Sequence, residues 1–305
     1  MATKSFSEIG VLGLYTETPL HCGAEGGTGY VDLPVQRERH TLYPVIPGST
    51  IKGILRDELS ALGPEKVNAI FGEEGAAKPG TVSFGDGILV AFPVRSSGAP
   101  FHWVTCPFVL ERVFRHLGVA YDLKAPGDGR AWGGGDKDES VLLEEIRLTK
   151  TPEPKFFGFD NSPLGRLQAL LPGSDSFKYT RKIFERRLLI VRDEDFKELV
   201  ETGTEILTRI KLNAFGTTRT IKLKDLPEEE HGQFKENDPA LQGNLFVQEV
   251  VPPETLFLAP LRAGNGADDL VTAIQGKSVI RIGGDETIGR GVTHVTFFDR
   301  RKGDQ

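Results

Sequence analysis

The amino-acid sequence predicts an α+β protein in which helices pack on one face of a mainly antiparallel sheet. Two observations lead to this prediction. Short apolar runs bounded by glycine or proline recur along the chain at lengths typical of strands. Between them, apolar residues recur at helical spacing, as at Ile51, Leu55 and Leu59. The elements follow the order strand, helix, strand pair, and then strand, helix and strands again, which fits a ferredoxin-like core interrupted by long insertions.

In the first half of the chain, apolar runs predict strands over 10–16, 42–46, 81–84 and 88–94. Helical spacing predicts helices over 49–62, 64–71 and 109–117. Ser49 or Thr50 is expected to cap the first of these helices. The glycine-rich, charged stretch 124–140 predicts a loop.

In the second half, strands are predicted over 188–191, 209–213, 245–251, 255–261, 278–282 and 292–298. Asp193 is expected to cap a helix that follows the first of them, and a short helix is predicted over 268–274. Residues 214–243 carry mixed charges and predict an exposed excursion. A chain of 305 residues can bury a sizeable core, in one domain with insertions or in two.

The charges are unevenly distributed. The net charge of -6 argues mildly against a nucleic-acid binder, for which a basic domain is typical. Six cations nevertheless lie close together, with only Glu185 among them: Lys178, Arg181, Lys182, Arg186, Arg187 and Arg192. Since charges are screened over about 8 Å in physiological salt, an acidic protein can still carry a basic face.

Cysteine usage and hydropathy narrow the class of protein. Cys22 and Cys106 are far apart and have no CxxC partner, so neither a zinc motif nor a disulfide framework is predicted. The start of the chain lacks a signal-peptide pattern, and no window approaches 18 apolar residues. A cytoplasmic protein is therefore expected.

The stretch 20–40 holds the first cluster of candidate functional residues, which are His21, Asp32, Arg37, Arg39 and His40. Backbone N–H groups of its glycine-rich part can approach a phosphate closely. The carboxylate would act as a metal ligand or base, and the cations would offset charge on a phosphate, which suits phosphodiester cleavage. A solvated surface loop with incidental charges fits the composition as well, so both interpretations stay open.

A turn that opens onto a helix, at 47–56, predicts an anion site. Ser49 stands at the helix start, where unpaired N–H groups and the helix dipole favour anions. Lys52 and Arg56 are four residues apart and share a face, which could follow a phosphate backbone. The pattern GxxxxGK[ST] is absent, which excludes an NTPase loop. The alternative is a capped helix with a solvated basic edge.

A second glycine-rich loop, GGDETIGRG at 283–291, lies between two predicted strands. Its order differs from the GxGxxG of dinucleotide-binding folds, so NAD binding is not expected. An RNA backbone could pass close to such a loop, where side chains would collide. A hairpin-like connection that needs positive φ angles is the alternative.

Three segments together resemble the RAMP superfamily of CRISPR proteins. They are HCG at 21–23 followed by VDLPVQRERHT at 31–41, PVIPGSTIKGILR at 44–56, and IGGDETIGRG at 282–291. Within the superfamily, the DLPVQRERHT string resembles the backbone subunit of the type III-B (Cmr) effector complex. The resemblance implies one domain over 1–305, with a modified ferredoxin-like (RRM-like) palm, finger and thumb insertions, and the thumb at about 209–250.

The resemblance also implies a function. Copies of the subunit would stack along a guide crRNA beside the other subunits of the complex. They would cut complementary target RNA at regular intervals, in a reaction that needs a divalent metal, Mg²⁺ or Mn²⁺. Attack by the RNA's own 2′-OH would leave a 2′,3′-cyclic phosphate and a 5′-OH, because this chemistry needs mainly alignment and a base.

The resemblance assigns residues to these roles. Asp32 matches the catalytic aspartate and metal ligand, and His21 and Glu249 match supporting catalytic positions. Around Glu249 the chain reads FVQEV, without the second acid and the tyrosine of the family's WxEEY-like pattern. RNA contacts are expected at Ser49, Lys52, Arg56, Arg37, Arg39, Gly283, Gly284, Gly289, Arg290 and Gly291.

Three other functions fit parts of the sequence. A non-catalytic guide-RNA scaffold would use the same basic and glycine-rich segments without cutting. A guide-processing RAMP nuclease would use a histidine base and act alone on a hairpin. An α+β protein outside CRISPR could use the same loops to bind phosphate.

Overall fold

The computed structural model describes residues 7–24, 29–73, 75, 78–135, 137–157, 162–264 and 267–302. The chain forms two compact units. The first unit consists of Met1–Cys22, Gln36–Thr204 and Val251–Gln305, and the second of Gly23–Val35 and Glu205–Val250. Residues 25–28 of the first glycine-rich loop lie outside the described residues.

The strands, in chain order, are β1 (Ser7–Thr16), β2 (Val82–Phe84), β3 (Ile88–Arg95), β4 (Phe101–Thr105), β5 (Arg130–Gly133), β6 (Glu139–Leu143), β7 (Ile146–Pro152), β8 (Leu188–Ile190), β9 (Glu205–Lys211), β10 (Asn244–Val250), β11 (Leu256–Ala263), β12 (Val279–Arg281) and β13 (Val292–Asp299). The helices are α1 (Gly48–Glu58), α2 (Pro64–Phe71), α3 (Pro107–Leu117), α4 (Pro154–Phe157), α5 (Pro163–Gln168), α6 (Lys178–Arg187), α7 (Asp193–Thr202) and α8 (Asp268–Gln275). Short 3₁₀ turns connect several of them.

Over the described residues, eleven strands of the first unit form one sheet. Their order is β12-β13-β1-β11-β3-β4-β8-β5-β7-β6, and β2 also pairs with β11. Most neighbours are antiparallel, whereas β4–β8 and β5–β7 are parallel. β1 lies between β11 and β13 and is buried from Ile9 to Thr16, as expected for a strand inside a sheet covered on both faces. The predicted α+β class with a mainly antiparallel sheet is confirmed.

The second unit is built on an antiparallel ribbon of β9 and β10, paired from Lys211 with Asn244 to Glu205 with Val250. The segment before Val35 adds to it, because Leu33 bridges to Gln248 in parallel. Between the strands, the predicted excursion 214–243 forms 3₁₀ turns at Leu223–Asp225, Glu228–Glu230 and Pro239–Leu241. The ribbon lies in the range where the thumb is predicted.

Several local predictions are wrong. Residues 42–46 make isolated bridges rather than a strand, since Leu42 has a positive φ of 63° and Pro44 interrupts the run. The predicted loop 124–140 contains β5, which pairs with β7 and β8. Asp193 does not cap α7, because its Oδ1 accepts the N–H of Phe108 instead.

Two further features differ from expectation. The helix α6 was not predicted, since its sequence is mostly charged and buries only Phe184. An aromatic side chain such as Trp103 could stack on bases, but Trp103 is fully buried and donates its indole N–H to the Glu254 carbonyl at 2.7 Å. It is therefore a core residue.

A close approach of backbones leads to the first testable prediction. A Cβ at Gly13 in β1 would lie 2.2 Å from the Leu170 carbonyl oxygen, so we expect Gly13→Ala to lower the free energy of unfolding by about 2–4 kcal/mol. Gly165→Ala in α5 is the control, because nothing lies within 4 Å of its Cβ and alanine favours a helix. Urea unfolding of both variants measures this, and equal effects would contradict the packing.

Candidate nucleic-acid interface

The start of α1 is capped from a distant turn. Gly48 donates its N–H to Asp86 Oδ1 at 2.7 Å, whereas neither Ser49 nor Thr50 makes a side-chain cap bond. A Cβ at Gly48 would lie 2.6 Å from the Phe84 carbonyl oxygen, so glycine is needed for this approach. The predicted Ser49 or Thr50 cap is therefore wrong. Ser49 stays exposed at the helix start, beside an N–H group that a carboxylate already occupies.

The two cations of α1 have different environments. Arg56 donates to the Gly72 carbonyl at 2.6 Å and to Asn68 Oδ1 at 2.9 Å, which ties α1 to the end of α2. Lys52 is exposed, and within the described ranges its amine makes no ion pair. Gly53 beside it is exposed, with open space around its Cβ position. The face around Lys52 and Gly53 is thus accessible to a ligand backbone.

His21 packs against the second glycine-rich loop. Gly284 donates its N–H to the His21 carbonyl at 2.9 Å, and Gly291 donates to the Pro19 carbonyl at 3.0 Å. A Cβ at Gly283 would lie 2.3 Å from the His21 carbonyl oxygen. The structure therefore brings His21 into contact with the 283–291 loop. In the sequence, His21 and this loop belong to two separate clusters of candidate residues. The His21 side chain is 8% exposed.

The 283–291 loop is held in shape by its own charges. Arg290 pairs with Asp285 at 3.1 Å, with both side chains mostly buried. Gly283, Gly289 and Gly291 all have positive φ angles between 73° and 85°. Nothing lies within 4 Å of a Cβ at Gly289, so this part of the loop faces open space. Arg290 thus supports the loop, and Gly289 lies on its accessible part.

The QRERHT string forms a turn at 36–43, in which Glu38 donates its N–H to the Tyr43 carbonyl at 2.9 Å. Arg112 of α3 holds Glu38 with two hydrogen bonds of 2.6 and 2.9 Å. Burial by itself would raise the pKa of Glu38, but the bonds from Arg112 and Thr41 outweigh it and lower the pKa. The turn is therefore fastened to α3 by a carboxylate that stays ionised.

The two arginines of this turn, Arg37 and Arg39, differ in their hydrogen bonds and in their exposure to solvent. Arg37 donates to the Leu42 carbonyl at 2.6 Å and to Thr204 Oγ1 at 3.3 Å. Arg39 is exposed at the tip, and no ion pair to it occurs among the residues that the structure describes. Arg39 is thus the arginine of the string that is placed to reach a ligand.

Asp32 and Glu249 belong to the second unit, where both are anchored by backbone groups. Asp32 is exposed, and its Oδ2 accepts the N–H of Val247 in β10 at 2.8 Å. Glu249 is 6% exposed, and its Oε2 accepts the N–H of Val35 at 2.9 Å. The two acids thus hold both ends of segment 32–35 against β10, and only Asp32 presents its carboxylate to solvent.

The predicted divalent metal would have few protein ligands. Among the residues that the structure describes, no group of three or more His, Cys, Asp or Glu side chains is arranged to hold a metal ion. Mg²⁺ usually keeps several waters and binds through one or two carboxylates together with phosphate oxygens of a substrate. The exposed carboxylate of Asp32 fits one such ligand, and the metal stays a prediction.

Two residues that organise the site escaped the sequence analysis. Asp86 lies in a GDG turn and caps α1 from 38 positions away, and Arg112 binds Glu38 from 74 positions away. In the sequence, Asp86 lies between Gly85 and Gly87, a pattern that indicates a turn but gives no sign of a helix cap. No local pattern marks Arg112. None of the described helices is long and apolar enough to span a bilayer.

Comparison with known proteins gives consistent matches. The model of the RAMP superfamily matches residues 14–294. A curated relative from Pyrococcus furiosus, named CRISPR system Cmr endoribonuclease Cmr4, is 33% identical over 311 residues, which cover 94% of this chain and 95% of the relative. This match extends well beyond the motifs.

Solved structures agree with this match. The crystal structure of oligomeric Cmr4 from Pyrococcus furiosus has a TM-score of 0.66 at 28% identity, covering 96% of this chain and 99% of that one. The cryo-EM structure of the type III-B Cmr-beta bound to cognate target RNA has a TM-score of 0.67 at 20% identity, covering 96% and 98%. The second likeness shows the fold, which is consistent with the expected ferredoxin-like palm.

The contact between His21 and the loop leads to a paired prediction. Gly283→Ala and Gly289→Ala both place a side chain at positive φ, which costs about 1–2 kcal/mol, but only Gly283→Ala also collides with the His21 carbonyl. We expect Gly283→Ala to lower the free energy of unfolding by roughly 2 kcal/mol more than Gly289→Ala does. Denaturant unfolding checks this, and losses of the same size would mean that the approach is looser than described.

Proposed function

The chain belongs to the RAMP superfamily, and from that premise we propose that it is the backbone subunit of a type III-B CRISPR ribonucleoprotein. In that role it binds guide crRNA and cleaves complementary target RNA. Support comes from the relative named as a Cmr endoribonuclease, which is 33% identical over 94% of this chain. A cytoplasmic location remains a prediction from the sequence.

The exposed carboxylate of Asp32 is the observation that carries the cleavage proposal. Its Oδ2 is fixed by the Val247 N–H at 2.8 Å, so the group has a defined position although it is exposed. An acid placed where RNA phosphates would approach is electrostatically unfavourable unless it contributes to the chemistry. Asp32 is therefore the residue proposed to act on the RNA.

The proposed reaction is an in-line transesterification of the target RNA. Asp32 takes the proton of the 2′-OH, and the 2′-oxygen then forms a bond to the adjacent phosphorus. The bond from phosphorus to the 5′-oxygen breaks, that oxygen takes a proton from solvent water, and Asp32 returns its proton to solvent. The products are a 2′,3′-cyclic phosphate and a 5′-OH. DNA is not a substrate in this account because it lacks the 2′-OH.

Glu249 and His21 are proposed as positioning residues. Glu249 is buried and holds the Val35 N–H, so it acts through the segment that carries Asp32. His21 supports the 283–291 loop through its backbone carbonyl. Cys22 next to it is no nucleophile, since burial raises the pKa of its thiol to about 12.

Guide-RNA contacts are proposed for the accessible cations and loop backbones of the first unit. Lys52 and Arg39 would bind phosphates directly, with Ser49 and Gly289 allowing close approach. The other arginines predicted to bind RNA, Arg37, Arg56 and Arg290, each hold protein atoms, and they would support these surfaces.

Assembly is part of the proposal. Copies of this subunit would stack on one guide, next to the other subunits of the complex, and each copy would cut once, which gives regular intervals. The solved Pyrococcus furiosus relative is described as oligomeric. Dependence on Mg²⁺ or Mn²⁺ remains a prediction, in which the exposed carboxylate of Asp32 would be one metal ligand and RNA phosphate oxygens would supply others.

A non-catalytic guide-RNA scaffold is the second candidate. One observation favours it, namely that Asp32 and Glu249 both accept backbone N–H groups. Such bonds are enough to explain both acids by structure alone. The scaffold would still bind guide and target RNA, but any cutting of the target by the assembly would come from another subunit.

Asp32→Asn separates the two candidates, because the amide oxygen can still accept the Val247 N–H while the base is lost. We expect the guide-loaded assembly to lose cleavage of labelled complementary RNA by about 10²-fold or more, with unchanged target binding. Asp32→Ala should lose cleavage equally and also about 1 kcal/mol of stability.

The control for this test is Asp225→Asn, which removes the same charge from an exposed aspartate of the second unit. It should cut at the normal rate. If the Asp32→Asn assembly also cuts at the normal rate while binding target, the subunit is a scaffold or its base is another residue.

A further inference from the structure

We propose that the exposed face of α6 is a second RNA-binding surface, in which Lys178, Lys182 and Arg186 contact backbone phosphates beside Tyr179. This inference rests on the proposed function, since it requires that the chain binds RNA. The surface consists of residues other than the α1, turn and glycine-rich-loop residues discussed above. We call these four residues the α6 face.

Helix geometry aligns the three cations. They stand at intervals of four residues, which places them on one side of the helix with about 6 Å between successive positions. All three are exposed, and Tyr179 next to them is 67% exposed. Phe184 is buried on the opposite side, with its ring 5.0 Å from that of Trp103, so the core fixes which side of α6 faces outward.

Within the described part of the chain, the three cations of the α6 face make no ion pair. Among the residues that the structure describes, no acid lies within ion-pair distance of the three cations, and the only acid of α6 is Glu185. Like charges four residues apart repel each other on a helix. Lys178 also lies at the N-terminal end, where the helix dipole disfavours a cation and where no acidic residue is present in the first turn. A bound polyanion would offset these repulsions.

The surroundings of α6 add positive charge. Arg187 lies 5.9 Å from the centre of the Phe101 ring in β4. Burial is the main reason that the pKa of His102, next to Phe101, is lowered to about 4; Lys150 and Arg187 act in the same direction, and Glu139 opposes them. Because Lys150 is itself paired with Glu139 at 2.7 Å, Arg187 is the neighbouring cation that adds positive charge.

RNA fits the α6 face better than an acidic protein surface does. A row of cations beside an exposed aromatic ring is the arrangement with which proteins bind single strands, since the cations follow phosphates and the ring stacks on a base. Tyr179 has no aromatic partner among the described residues, and its exposed ring is available for stacking. An acidic protein partner would leave this ring unexplained.

The test compares two full-length variants with the wild type. Lys178→Gln, Lys182→Gln and Arg186→Gln are combined to neutralise the α6 face, and glutamine retains helix propensity. The control combines Lys66→Gln, Arg115→Gln and Lys197→Gln, three exposed cations on other helices, so that both variants lose the same charge. Circular dichroism and thermal unfolding confirm that each variant is folded.

RNA affinity is then measured by fluorescence anisotropy at several salt concentrations, in two arms. One arm titrates single-stranded guide RNA into the free chain, and the other titrates complementary RNA into the guide-loaded assembly. In one of the arms, we expect the α6 variant to reduce the slope of log affinity against log salt by about 2, at roughly 0.7 per phosphate contact. The wild type would then lose about 16-fold more affinity than the variant between 50 and 200 mM salt. The control variant should keep the wild-type slope.

Each outcome has a distinct meaning. A reduced slope in the guide arm or in the target arm supports the proposal and identifies the strand that α6 contacts. Wild-type RNA binding with the same slope in the α6 variant would overturn this inference alone. If size-exclusion chromatography shows that the α6 variant loses self-association while the RNA slope is unchanged, the α6 face is a protein contact, and the inference is also overturned. If the wild type binds no RNA in either arm, the proposed function fails first.

Discussion

The placement of β1 between β11 and β13 is the constraint on which the first unit depends. Because β1 is antiparallel to both neighbours, the chain leaving β1 meets the residues that enter β11 and β13. Leu20 and Val251 exchange backbone hydrogen bonds of 2.8 and 2.9 Å there, and Glu17 donates its N–H to the Val292 carbonyl at 2.8 Å. His21 consequently lies against the 283–291 loop.

In the second unit, backbone hydrogen bonds hold an exposed acid in a defined position. Asp32 lies in a segment without regular secondary structure, yet β10 fixes it from two sides: Val247 donates to its carboxylate, and its own N–H donates to the Val247 carbonyl at 3.0 Å. Glu249 holds the following residues through the Val35 N–H. A proposed base that must meet a flexible RNA backbone benefits from such preorganisation, because poorly oriented groups contribute little to catalysis. The ribbon of β9 and β10 therefore positions the proposed base.

Apolar runs and helical spacing in the sequence predicted the strands and helices that form from residues close together in the chain. The apolar run of β1 and the periodic residues of α1 and α2 predicted those elements within a few residues. Features that depend on distant pairing were missed: Asp86 caps α1 from another turn, and β5 exists because β7 and β8 lie beside it. The helix α6 was missed because a mostly charged stretch carries little apolar periodicity. The catalytic roles predicted for Asp32 and Glu249 came from resemblance, while the anchoring of both acids by backbone N–H groups became visible only in three dimensions.

The central claim is that the target RNA is cut by its own 2′-OH in the presence of Asp32. The most direct measurement uses a guide-loaded assembly and a complementary RNA that carries a single 2′-deoxynucleotide at one cut position. The account predicts unchanged binding, no product at that position, and normal products with 2′,3′-cyclic phosphate ends at the other positions. Cutting at the deoxy position at the normal rate would contradict it, because the attacking oxygen would then come from elsewhere.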